Sequence, residues 1–369
     1  MSAITASSKF GGWAGIDEKA AQGGMKYVEF EPKPWDEDDV DVAVQYCGIC
    51  ASDTHILSGD WGPLSKEKPT FCGHEVAGKV IKVGSEVKHL KVGDSVGIGC
   101  QSDTCGECEF CLRGDTQVCA KTTWTLTGFG PTPFLRGNGK GYEPKGGFVN
   151  VWRGPGKFAI PIPDGLDLAA AAPMLCGGIT TYSPLERFKA GSERVKKVGV
   201  IGVGGLGHFG IMFAKAMGAE VTAISRTDDK KEDAIKLGAS HFIAMNEGTK
   251  GHESSLDLIL CTINPNKLDV SPYMALLRPF GNLVLLGVVP EPLSIPGANF
   301  IYGGKVVSGS GCGSPAEISR MFQLAVDHNL KAWIQKYKFD DINQAIQDFE
   351  AGKPRFRFVL VNEENGGKM

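Results

Sequence analysis

The alternation of apolar and polar positions changes character twice along the chain. Between about residues 25 and 165 the apolar runs are short and broken by Gly, Pro and Asp. "DVDVAVQYCG" (39–48) alternates with a period of two, and "HEVAGKVIKVGSEV" (74–87) and "KVGDSVGIG" (91–99) read as strands joined by tight turns. An irregular, mostly β region is expected there. From about 176 to 315 the rhythm becomes strand, helix, strand. The apolar run "KKVGVIGV" (196–203) leads into the amphipathic "LGHFGIMFAKAMG" (206–218), and "EVTAIS", "KKEDAIKLGA", "HFIAM", "LDLILCT", "PYMALLRP", "NLVLLGVV" and "KVVSGS" follow. Such alternation calls for a parallel sheet covered by helices. The end of the chain holds two helical patterns, "SPAEISRMFQLAVDHN" and "INQAIQDFEAG", then a strand, "RFRFVLV". The expected fold class is therefore α/β. A β-rich domain over 1–175 is interrupted by a doubly wound parallel-sheet domain over 176–315 and resumes over 316–369.

Composition adds bounds. A chain of 369 residues exceeds what one core supports, which agrees with two domains. A net charge of -3 gives no footprint for nucleic acid or an acidic membrane, so neither is expected as a partner. The start, "MSAITASSKFGGWAG", lacks a basic patch followed by an apolar core, and no apolar run approaches the ~18 residues of a spanning helix. A cytoplasmic protein is expected, and the polar "NEENGGKM" is expected to be a loose tail. In that compartment the 11 cysteines read as metal ligands and buried thiols rather than as disulfides.

The first chemistry lies in "VIGVGGLGHFG", where Gly202, Gly204 and Gly207 form G-x-G-x-x-G between a strand and a helix. Gly202 allows the tight turn, Gly204 lets the backbone approach a pyrophosphate, and Gly207 packs helix on sheet, with Gly205 and Leu206 completing the loop. About twenty residues on, an NAD site would carry an acidic residue. Here "ISRTDDKK" offers Ser225, Arg226, Thr227 and Lys230, which suit the 2′-phosphate of NADP(H). Asp228 and Asp229 sit later, where they could cap the next helix.

The second lies in the cysteines. Cys105, Cys108, Cys111 and Cys119 follow C-x2-C-x2-C-x7-C, and four thiolates so spaced can close a tetrahedral shell around one structural zinc. An iron–sulfur cluster would use the same four. Cys100, outside this repeat, reads as a free buried thiol. A sparser set comprises Cys50 in "CGICASD", His74 and Glu75 in "CGHEVAG", and Cys176 in "MLCGGIT". Two cysteines and a histidine with a fourth position open would make a catalytic zinc site. Their spacing alone does not join them.

A resemblance does. "CGICASDTHILSG", "GHEVAGKVIKVG", the four-cysteine loop, "CGGITTYSPL" and "GVGGLGHFGI" stand in the order of the zinc-dependent medium-chain alcohol dehydrogenases. "CGGITTYSPL" and "ISRTDDKK" are most similar to the NADP-dependent cinnamyl alcohol dehydrogenase branch, including its fungal and yeast members. The resemblance covers nearly the whole chain. It implies a GroES-like catalytic domain, a Rossmann domain, two zinc ions per chain and a homodimer joined through the Rossmann domains.

It further implies Cys50, His74 and Cys176 as catalytic zinc ligands, with Glu75 able to enter the zinc shell during exchange. Ser52 and then His55 would pass the proton, and Asp53 would orient a ligand. Cys47 shares the local motif but is not a ligand, and Cys72 is left to packing. Thr180 would lie near the nicotinamide and Arg357 near the cofactor. The segment Trp124 to Gly141 departs from the family pattern, and Trp61, Trp124 and Phe300 are candidate cleft walls or ordinary loop aromatics. The implied activity is reduction of small aldehydes, aromatic, allylic or medium-chain, to primary alcohols. Two other readings stay open: a reductase of the same fold acting on C=C or C=N bonds, and a non-catalytic NADPH-binding protein.

Overall fold

The computed structural model describes residues 9–127 and 132–369. The opening "MSAITASS", read above for a leader, and residues 128–131 of the 124–141 segment lie outside the described residues. The chain divides into two compact units, Met1–Cys176 with Gly313–Met369, and Gly177–Cys312. Cys176, placed by sequence at the head of the second domain, thus falls in the first unit, and Gly313 to Pro315 begin the return. No helix among the described residues is long and apolar enough to cross a membrane.

In the first unit, strand Asp39–Ile49 is the hub. It pairs antiparallel with Val76–Val83 along one edge. On the other edge its early half pairs with Val151–Pro155 and its late half with the C-terminal strand Arg357–Val361. The end of the chain is thereby built into the middle of the sheet. The polar tail is tied down as well: Asn365 Nδ2 donates to Val44 O and Asn150 O, and Lys368 N donates to Tyr46 Oη at 2.7 Å. Composition read this segment as loose; long-range side chain–backbone bonds override that.

Alternation in "DVDVAV" leaves Asp39 and Asp41 on the face that a half-buried strand turns to water. Both are buried instead. Lys33 Nζ meets Asp39 Oδ2 at 2.6 Å and Asp36 Oδ2 at 2.9 Å, and Arg153 forks onto Asp41 at 2.7 and 2.9 Å. Burial holds the Asp39 carboxyl above its ordinary pKa despite the lysine.

In the second unit six strands lie parallel, in the order His241–Ala244, Glu220–Ser225, Lys197–Ile201, Leu256–Cys261, Leu277–Leu285, Val306–Gly309. This is the doubly wound order 3-2-1-4-5-6, whose direction reverses beside the first strand, where dinucleotides bind. Apart from Lys197 and Asp257 near their starts, the central strands are apolar because helices cover both faces of such a sheet.

Removing Lys33 would leave a buried carboxylate unpaired. Lys33→Met should destabilise the first unit by about 3–5 kcal/mol, seen as a fall in its urea-unfolding midpoint. An unchanged midpoint would mean that Asp39 needs no counter-charge.

Candidate metal centres and dinucleotide turn

Cys50 stands where the hub strand ends and helix Ala51–Leu57 begins. Asp53, in the helix's first turn, is fully buried. Its Oδ2 accepts from Cys50 N at 2.8 Å, and its Oδ1 accepts from Gly73 N at 2.8 Å and faces His74 Nδ1 at 3.2 Å. The histidine's Nδ1 is thereby engaged, which leaves Nε2 as the coordinating nitrogen. Gly73 has φ +90°, and a Cβ there would lie 2.7 Å from Phe148 N, so glycine is required at the step into His74. Cys176 follows the turn Ala172–Leu175.

The fold brings these distant residues together. One ligand atom from each of Cys50, His74, Glu75 and Cys176 lies within 4.8 Å of the others, with the two sulfurs 3.8 Å apart. Four thiolates at ~2.3 Å from a tetrahedral zinc stand about 3.8 Å apart, so the sulfur pair fits that metal. The hydrogen bond from Cys176, with Arg357 and His74 nearby, holds the Cys50 thiol well below its ordinary pKa. Burial pulls His74 down, but Cys176 and Asp53 more than offset it, and its pKa stands well above the usual value. Burial pushes Glu75 up to about 7, against the pull of Arg357. Its Oε2 is buried without a hydrogen-bond partner. Thiols, an imidazole and an orphaned carboxylate oxygen form a donor set that suits a divalent cation.

Arg357 was expected near the cofactor. It is buried, and its Nη2 forms an ion pair with Glu75 Oε1. Ser52 Oγ lies 3.9 Å from Cys50 Sγ. His55, a turn further along the same helix, meets Asp60 Oδ2 through Nδ1 at 2.7 Å and stacks on Trp61 at 5.4 Å. That bond holds the Asp60 carboxyl below its ordinary pKa. Asp60 escaped the sequence reading; its one signal is its place just past the helix, where Asp60 N donates back to His55 O. Trp124 lies on a short strand paired with Gln101–Asp103, and Phe300 is exposed in the second unit.

The four cysteines of the loop also converge, with sulfur separations of 3.8 Å (Cys105–Cys111) and 3.6 Å (Cys105–Cys119). Backbone N–H groups supply the polarity: Lys121 N donates to Cys119 Sγ at 3.4 Å, and the Glu107 and Cys108 amides draw Cys105 down to about 6. Burial raises Cys111 to about 11. Four sulfurs at tetrahedral spacing leave no position for a further ligand.

In the second unit Gly202 has φ +89°, and a Cβ on Gly207 would fall 1.7 Å from Gly202 O. A Cβ on Gly204 would meet no protein atom within 4 Å, so the side chain glycine lacks is what keeps that approach clear. Gly205 and Leu206 complete the loop before helix Gly207–Ala216. Lys230 Nζ donates to Val203 O at 2.9 Å, which sets the lysine on the glycine turn. Ser225 closes its strand, and Arg226 and Thr227 follow it, exposed. Asp229 accepts from Thr227 Oγ1 at 2.8 Å, and helix Lys231–Leu237 starts with no side-chain cap, so Asp229 does not cap it. Thr180 is buried in helix Gly177–Arg187.

Comparison with known proteins agrees with this geometry. Residues 36–164 match the alcohol dehydrogenase GroES-like domain and residues 205–327 the zinc-binding dehydrogenase family. An aldehyde reductase of Synechocystis is 37% identical over 347 residues, covering 94% of this chain and 97% of that protein. A cinnamyl alcohol dehydrogenase structure from Sorghum bicolor superposes with a TM-score of 0.87 at 36% identity, covering 98% of this chain and 99% of that one. A Helicobacter pylori enzyme of that name, solved with NADP(H), gives 0.84 at 32%, with coverage of 98% and 99%.

The Glu75–Arg357 pair makes a stability prediction. Arg357→Met strands a buried carboxylate and should cost about 3–5 kcal/mol, measured by thermal unfolding. Arg357→Met with Glu75→Gln should recover much of the loss. A double variant no more stable than the single one would show that the pair carries no such energy.

Proposed function

Because the chain belongs to the zinc-type medium-chain alcohol dehydrogenases, we propose that it interconverts small aldehydes and primary alcohols with NADP(H), working mainly as an aldehyde reductase. The observation that carries this is the convergence of Cys50, His74 and Cys176 around one point, with Ser52 beside Cys50. When bound, zinc supplies Lewis acidity at the carbonyl oxygen and NADPH supplies the hydride.

The chain's own residues do the rest. Asp53 fixes Cys50 and His74 in one geometry, so the ligand shell needs little reorganisation. Glu75, held by Arg357, is an alternative oxygen donor to the same point. Ser52 Oγ carries a proton to the product oxygen, His55 resupplies it, and Asp60 holds His55 at Nδ1 and connects it to solvent. The four-cysteine loop holds a structural zinc. In the second unit the glycine turn takes the pyrophosphate, and Ser225, Arg226, Thr227 and Lys230 take the 2′-phosphate, with Thr180 near the nicotinamide.

The motifs "CGGITTYSPL" and "ISRTDDKK" support the NADP-dependent cinnamyl alcohol dehydrogenase branch in its fungal and yeast form, with aromatic, allylic or medium-chain substrates. Strand Val306–Gly309 is the outer strand of its sheet, and Ile301 and Tyr302 just before it are exposed, which supports a homodimer through this unit. Among the described residues no cysteine is in a disulfide, which suits the cytoplasm.

NADPH oxidation should proceed with cinnamyl-type, benzylic or aliphatic aldehydes and be far weaker with NADH. A preference for NADH would overturn the assignment of Ser225 to Lys230, and inactivity on every aldehyde would overturn the reaction. Ser52→Ala should lower turnover by about a hundredfold or more while both zinc ions are retained. Unchanged turnover would remove Ser52 from the proton path.

A further inference from the structure

The turn that follows helix Ala51–Leu57 sets two consecutive side chains on one ring. Asp60 N donates to His55 O at 3.0 Å and Gly62 N to Gly59 O at 3.1 Å, so the chain folds back on the helix's last turn at "GDWG". Gly59 has φ +81° and Gly62 φ +144°, both in the left-handed region that favours glycine. A Cβ at either position would meet nothing closer than 3.6 Å, so what these sites demand is the backbone conformation and not the space. Between the two glycines stand Asp60 and Trp61. Asp60 Oδ2 takes the His55 ring at Nδ1, 2.7 Å away, and the Trp61 indole stacks on the same ring, with centroids 5.4 Å apart and planes 24° from parallel.

We propose that Trp61 is a positioning residue for His55: its indole fixes the plane of the imidazole, so that Nε2 is aimed along the proton path while Asp60 holds Nδ1. This rests on the reading of His55 as the group that resupplies the proton to Ser52. The two lie three residues apart in one helix and so share a face of it.

Neither contact suffices alone. The torsion that turns an imidazole about its stem is broad and roughly two-fold, so the helix leaves the ring's orientation open. A carboxylate only accepts hydrogen bonds, so Asp60 keeps a proton on Nδ1 and leaves Nε2 as the exchanging nitrogen. One hydrogen bond fixes one atom, however, and lets the ring rock about the line from Nδ1 to Oδ2. A stacked face opposes that rocking, because tilting the imidazole gives up the offset contact that holds ring pairs about 4.5–7 Å apart. The side chains of the hydrogen bond are 41% and 54% exposed, so water competes for it. Water does not compete in the same way for the face of an indole.

The test compares the zinc-loaded wild type with Trp61→Leu, Trp61→Phe, His55→Ala and the double variant Trp61→Leu with His55→Ala, using NADPH with cinnamaldehyde and with butanal. Trp61 stands 40% exposed on a turn, so its replacement tests the ring and not the fold. Trp61→Leu, which keeps an apolar side chain but no flat face, should lower kcat about tenfold for both aldehydes and leave KM within about twofold. Its solvent deuterium isotope effect should rise, and added imidazole should restore turnover. Trp61→Phe, which keeps a face, should return kcat toward wild type. In the His55→Ala background Trp61→Leu should cost nothing further. An unchanged kcat, a loss confined to KM or to cinnamaldehyde, or the same factor in both backgrounds would make the indole a wall of the cleft and overturn the proposal. If His55→Ala turns over like wild type, the relay reading fails first and the role of Trp61 falls with it. The ring also gives a readout that needs no turnover. In protein carrying isotope-labelled histidine, the His55 ring signals, identified by their loss in His55→Ala, should show the Nδ1–H form in wild type and Trp61→Phe. In Trp61→Leu they should broaden as the ring samples more than one orientation, and unchanged signals there would overturn the proposal whatever the activity.

Discussion

The buried carboxylate of Asp53 accepts from Cys50 N and Gly73 N and faces His74 Nδ1, so one side chain joins a helix start, a loop and an imidazole. A carboxylate removed from water must recover the lost hydration through hydrogen bonds, and each of these donors does so only from one position. The cost of burying the charge therefore becomes a constraint on geometry. Were Cys50, Gly73 or His74 to shift, Asp53 would be left short of a partner where water does not reach. The candidate metal centre is organised around that constraint.

A second charge problem is solved from the far end of the chain. Glu75 is fully buried beside two cysteines, and its counter-charge is Arg357, the first residue of the C-terminal strand. That strand pairs with Tyr46–Ile49, immediately before Cys50. The return of the chain to its first unit does more than complete a sheet. It carries in the guanidinium without which the carboxylate of Glu75 would be driven toward its neutral form.

Both cysteine sets have sulfur pairs at 3.8 Å, so spacing between sulfurs does not separate their roles. What surrounds them does. The loop offers four thiols and backbone amides, a closed shell with nothing left to bind. The other centre mixes thiols and an imidazole with a carboxylate whose second oxygen has no partner, and Ser52 stands beside the Cys50 sulfur. Lewis acidity at an open position needs that second arrangement.

Short-range patterns in the sequence determined a good deal. The change from period-two runs to strand–helix alternation foretold the mixed α/β architecture. The turn at Gly202 to Gly207 and the four-cysteine loop were legible because each completes its chemistry within a few residues. Family likeness joined Cys50, His74 and Cys176, which spacing could not. Other features were decided only by tertiary structure. Asp39 and Asp41 alternate like surface residues but are buried because Lys33 and Arg153 reach them. Arg357 reaches Glu75 from the far end of the chain, and Asp60 stands behind His55. In each case the partner is a charge or a hydrogen-bond donor supplied through space. Sequence patterns report which face of an element is apolar, but a buried polar group is satisfied by whatever the fold carries to within about 3 Å of it, and only folding fixes that distance.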